Sequence, residues 1–170
     1  IFDDTAATGN VVVKGAVSPN SITFNNNTLA YTLTGDSILG GGKIVKNGTG
    51  RVTINTENRT GATVINAGTL TVNSLANVTG ITYGALGDVK KSITINDGAT
   101  LAVSQPVITD QPFNISGSVS ISVPTNMSFT LNKGVKGTGA TLTKIGAGTL
   151  TLGPQNTFSE LVVKVGHVNN

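Results

Sequence analysis

Few side chains in this chain are equipped for chemistry, and their spacing limits what they could do. Cysteine is absent, so there is no disulfide framework and no thiol chemistry. His167 is the single histidine, and its place near the end of an alternating stretch reads as an exposed surface position. Only eight residues are acidic, and they rarely come in pairs. Asp3 and Asp4 are adjacent, so in a strand they point to opposite faces. A general acid/base pair needs two carboxylates that converge across a cleft. The calcium-binding G-G-x-G-x-D repeat does not occur. The expectation is a chain that is not an enzyme and takes no metal and no cofactor.

One stretch, 74–91, gathers groups that could grip a polar ligand. Tyr83 offers a ring that stacks on a sugar face, Asp88 an acceptor, and Lys90 and Lys91 cationic donors. Gly80, Gly84 and Gly87 suggest a flexible frame around them. If the chain contacts a ligand, these residues are the expected site. The plain alternative is a loop that pads or caps the fold. The other rings fit structure better: Tyr31 alternates with Leu29 and Leu33 as a core residue does, and Phe158 sits where it could plug an end. The N-x-T triplets at Asn47, Asn58 and Asn77 read as chance in a chain so rich in Asn and Thr.

The elements that must position these groups come from a repeat. Lys46–Val72 reads KNGTGRVTINTENRTGATVINAGTLTV, and Lys144–Val168 reads KIGAGTLTLGPQNTFSELVVKVGHV. The two align without a gap at an offset of 98 (144 minus 46), pairing Gly48 with Gly146, Asn58 with Asn156 and Gly68 with Gly166. Within each unit, Gly corners separate short stretches of period-two alternation. Val52 and Ile54 are expected inside with Thr53 outside, and likewise Leu70 and Val72 around Thr71, and Leu150 and Leu152 around Thr151. Gly48, Gly50, Gly68 and Gly148 are expected at turns, several with positive φ. Three strands per unit suggest one coil of a parallel β-solenoid, in which each strand pairs with its equivalent in the next coil.

Lys144–Leu152 (KIGAGTLTL) and Ile65–Val72 (INAGTLTV) resemble the autotransporter-associated β-strand, or passenger-associated transport, repeat. The resemblance implies a right-handed parallel β-helix in an exported bacterial surface protein, located extracellularly or on the bacterial cell surface. The chain departs from the repeat pattern at 159–164, where SELVVK replaces a small polar run.

Composition agrees with an all-β solenoid. Aromatics are 4% and charged residues 11%, so the core must be built from Val, Ile and Leu. At about 20 residues per coil the chain holds about eight coils. The expected organisation is a single domain, 1–170. It runs as lead-in coils and cap at 1–45, a repeat copy at 46–73, an insert loop at 74–91, looser coils at 92–139 and a second copy at 140–170. Ile1 and Phe2 could cover the first edge, Gly40–Gly42 is the expected loosest point, and Pro106, Pro112 and Pro124 mark corners. The start at Ile1-Phe2-Asp3-Asp4 suggests an excised piece with flanking domains. A net charge of +3 with scattered lysines argues against nucleic acid, and no apolar run is long enough for membrane insertion. Two functions remain: a non-catalytic structural or adhesive module, with a glycan or host cell-surface ligand, or a carbohydrate-binding module appended to a secreted polysaccharide-degrading enzyme.

Overall fold

The computed structural model describes residues 1–170 and contains strands, turns and no helix. Three parallel sheets of eight, six and four strands form the walls of the solenoid. The chain passes from the six-stranded sheet to the eight-stranded sheet, across a third side, and back one coil further on. Each strand of the eight-stranded sheet therefore marks one coil, eight in all. Strand pairing runs through equivalent positions: Tyr31 lies beside Val52, Val52 beside Leu70, and Leu70 beside Leu101. This row is apolar because every second residue of a strand faces one side. The inward residues merge into one cluster of 32 buried side chains running the length of the stack.

The repeat unit is not one coil. Arg51–Ile54 pairs directly with Thr69–Val72, eighteen residues on (69 minus 51), so the first and third strands of the unit lie on the same wall. One unit therefore spans about a coil and a half. The two copies also occupy different walls. Lys46 ends a strand of the six-stranded sheet, and Val52 and Ile54 belong to the eight-stranded one. Lys144 lies in the eight-stranded sheet, and Leu150 and Leu152 in the four-stranded one.

Val52, Ile54, Leu70, Val72, Leu150 and Leu152 are all buried. Thr53 and Thr151 are half-buried, while Thr71 is only 7% exposed, against the expectation for an outward position. It stands in the middle of the wall, flanked by Thr53 and by Ala102, itself 8% exposed. Of the four expected corner glycines only Gly68 has positive φ, at 70°. Gly48 is needed for another reason: a Cβ there would run into the backbone of Asn25 and Asn26 in the coil below. Along that corner an outer ladder of amides ties five coils together. Asn47 donates to Asn25 (2.9 Å), Asn66 to Asn47 (2.7 Å) and Asn96 to Asn66 (2.6 Å), and Ser116 closes the row on Asn96 (3.1 Å).

The entry end is capped by Phe2, which stacks on Phe24 at 4.9 Å and meets Tyr31 edge-on at 5.3 Å. Ile1 takes no part and is 87% exposed. Tyr31 is core, and its hydroxyl donates to the Asp3 carbonyl. Phe158 is half-buried against the core of the last coils. The Gly40–Gly42 corner is stitched rather than loose: Gly41 N–H donates to Arg59 O, and Gly61 N–H to Gly42 O.

Candidate functional site

The four-stranded wall begins only at Val107, so the third side of the earlier coils has no regular strand. The stretch 74–91 occupies that side in the one coil between Thr69–Val72 and Ile93–Ile95. It folds back through a short antiparallel pair, Tyr83–Gly84 with Gly87–Asp88, and drives Leu75, Ala76, Ala85 and Leu86 into the core with no residual exposure. Buried amides hold it. Asn58 Nδ2 donates to Ala85 O (2.7 Å), and its Oδ1 accepts from Ile38 N–H (3.0 Å). Gln111 Nε2 donates to Leu86 O, Asp88 O and Lys91 O, and its Oε1 accepts from Ala76 N–H.

The glycines of this stretch do not make it flexible. Gly84 lets its backbone pack on Leu75, where a Cβ would lie 2.5 Å from the Leu75 Cα. Gly87 turns with φ of 87° against Thr60 O. Only Gly80 stands in open space, with one neighbour, Asn77 Oδ1, at 3.7 Å from its would-be Cβ.

The sequence-predicted residues are partly brought together. Tyr83, Asp88 and Lys90 line one cleft of about 430 Å³, with Asn77, Val78, Thr82 and Val89. Lys91 does not line it; its carbonyl is tied down by Gln111. Tyr83 is half-buried, and the Arg59 guanidinium lies 4.6 Å from its ring centre. That cation–π contact occupies one ring face, so a sugar could stack only on what remains. Asp88 Oδ1 already accepts from Lys90 N–H at 2.7 Å. The cleft can hold a small polar molecule, but part of its expected hydrogen-bonding capacity is spent inside the loop.

The remaining candidates lie away from this cleft. His167 is exposed at the start of the last strand. Asp4 caps a corner: its carboxylate accepts from the N–H groups of Asn27, Thr28 and Leu29, which holds it down at about 2. Asp3 accepts from the backbone and hydroxyl of Thr5, and these bonds lower it as well.

The sequence reading missed the role of the repeat lysines. Lys46 and Lys144 are both fully buried. Lys46 Nζ donates to Gly48 O and Ala67 O. Lys144 Nζ donates to Gly146 O, Val165 O and Ile145 O. Gly146 and Val165 are the alignment partners of Gly48 and Ala67, so both copies build the same corner. The ammonium sits inside the bend and gathers carbonyls from two successive coils. Burial pushes Lys46 down to about 8, opposed by the Asp4 carboxylate, and burial lowers Lys144 too. Above each ammonium a glycine completes the corner: Gly68 at φ 70° and Gly166 at φ 84°. The signal was in the sequence, because both lysines fall at inward positions of their strands, where a lone charge is costly unless carbonyls receive it.

Comparison with curated proteins and with solved structures gave no match. The family model of the passenger-associated-transport repeat does match, at residues 44–72 and 142–163; the first segment holds the whole Lys46 corner, the second holds Lys144 and Gly146 and ends before Val165 and Gly166, and both are similar to that repeat.

Proposed function

We propose that this chain is a non-catalytic β-solenoid module that gives length and stiffness to an exported bacterial surface protein. The observation that carries the proposal is the commitment of the matched segments. Their lysines and most of their aliphatic residues are consumed by corners and core, and the charges they expose are limited to Arg51, Glu57, Arg59 and Glu160. A stack built this way holds its neighbours at a fixed distance. The repeat match supports an extracellular or cell-surface setting. Adhesion to a glycan or a host cell surface would be a property of the whole exported protein to which the module contributes reach.

A second reading, a carbohydrate-binding module of a secreted polysaccharide-degrading enzyme, is favoured by one observation, the cleft shared by Tyr83, Asp88 and Lys90. A glycan array with the chain, beside the Tyr83→Ala/Lys90→Ala variant, separates the two. The rod reading expects no glycan whose binding depends on these side chains and no product from any polysaccharide. A glycan bound by the wild type and lost in the variant would establish the second reading.

A further inference from the structure

A different cleft lies at the corner between the four-stranded and six-stranded walls. It has a volume of about 320 Å³ and is lined by Lys133 and Lys136, with Asn132 and Gln155 beside them and Pro112 and Pro154 as walls. Both lysines are exposed, and no carboxylate lines the cleft. In a chain with so few charges, two ammonium groups three residues apart on one concave surface create a local positive potential.

Two further features shape the cleft. Gln155 has φ of 68°, one of only two non-glycine residues with positive φ. It follows Pro154, so it occupies the turn position that favours glycine. A residue kept there against its conformational preference is a reason to look for what its side chain does. Gly134, at φ 70°, forms part of the lining; a Cβ there would press on the Pro154 carbonyl and lie 3.0 Å from Asn156 Oδ1. The Asn132 amide is also oriented. Its Nδ2 donates to Asp110 Oδ1 at 3.2 Å, which leaves Oδ1 to accept from a ligand hydroxyl. Asp110 lies outside the lining and is only 8% exposed, and its other oxygen accepts from Val78 N–H.

We propose that this cleft binds a carboxylate-bearing sugar, a uronate. The two ammonium groups receive the carboxylate, the Asn132 and Gln155 amides serve the ring hydroxyls, and the proline rings meet the C–H face of the sugar. A bare inorganic anion would leave most of the volume and both amides unused. The inference does not depend on the rod reading; it gives the rod one place where it holds a ligand.

Titration of the chain with a galacturonate oligosaccharide, followed by calorimetry and by backbone amide shifts, tests this. Saturable binding is expected, with shifts centred on Asn132, Gly134 and Gln155. The neutral galactose oligosaccharide should bind at least about tenfold more weakly, since it forgoes the charge-assisted bonds. Lys133→Gln/Lys136→Gln should lose binding, while Lys43→Gln/Lys164→Gln, exposed lysines elsewhere, should keep it. Gln155→Gly should raise the melting temperature by relieving the turn and yet weaken binding. No binding of the uronate at millimolar concentration would overturn the proposal. So would equal binding of inorganic phosphate, equal binding by the Lys133/Lys136 double variant, or a Gln155→Gly variant that is stabilised and binds undiminished.

Discussion

Burying the repeat lysine makes the stability of this protein depend on alkaline pH in a direction opposite to that of a salt-bridged lysine. Lys46 has an ordinary value of 10.5 and is lowered by burial to about 8 in the fold. Below pH 8 it is protonated in both states, and the full cost of burying the charge bears on the native state. Between about 8 and 10.5 the native state releases the proton and the unfolded state keeps it, so stability rises with pH across that window. At about 1.4 kcal/mol per pKa unit, the gain between pH 7 and pH 10 is on the order of 2–3 kcal/mol from Lys46. The neutral amine still donates to Gly48 O and Ala67 O, so the corner survives the titration. Denaturant melts of wild type and Lys46→Met at pH 7 and pH 10 measure this. The quantity to compare is the change with pH, because at pH 7 the variant both relieves the burial of charge and strips two carbonyls of a donor. The wild type should gain stability relative to the variant on going to pH 10. Lys144, also lowered by burial, shifts in the same direction, and a double variant should flatten the response further. Parallel behaviour of wild type and Lys46→Met between the two pH values would refute the reasoning.

Other perturbations report on other parts of the fold. Asp4 is held at about 2 by three backbone N–H groups, so its contribution is present above pH 4 and lost as pH falls through 2; Asp4→Asn should lower the melting temperature at pH 7 and blunt the loss of stability between pH 4 and pH 2. Gly68→Val places a β-branched residue at φ 70° with its Cβ 2.6 Å from three carbonyl oxygens, and thermal melts should show a loss of at least about 3 kcal/mol. Asn58→Ala leaves the Ile38 N–H and Ala85 O without partners in the interior; about 2–4 kcal/mol should be lost, with amide exchange accelerating first across 74–91. Thr63 is fully buried with an unpartnered hydroxyl, so Thr63→Val should raise stability by about 1 kcal/mol, and a fall in the unfolding midpoint would show that the hydroxyl is engaged.

Much of the fold was legible because period-two alternation between glycine corners leaves little freedom. Val52, Ile54, Leu70 and Val72 had to share one side of their strands, and the stacked parallel arrangement gives each a like neighbour. What the alternation does not encode is which wall a strand joins. Nothing local in TVI at 63–65 or TLTV at 69–72 says that the second of these returns to the wall of Arg51–Ile54, which is why three strands read as one coil. The corner lysines were overlooked for a related reason: the alternation places them inward, but a lysine beside a glycine turn looks solvated until the next coil's carbonyls are in place. In the 74–91 stretch the ligand-like residues were visible, but the buried anchors were not. Gln111 and Asn58 lie outside the stretch, and only the fold brings them beneath it.

The two matched segments sit four coils apart and one wall further round. With three walls, the second copy is turned from the first by about a third of a revolution about the solenoid axis. Thr53 and Thr151, equivalent in sequence, therefore face different compass directions. A flat partner such as a cell envelope or a crystalline polymer can lie against one copy at a time, and duplicating the segment adds nothing to its grip on such a surface. What duplication supplies is a corner that can be installed at any vertex of the prism. The repeat therefore propagates the bend and leaves each wall free to vary in what it shows to the outside.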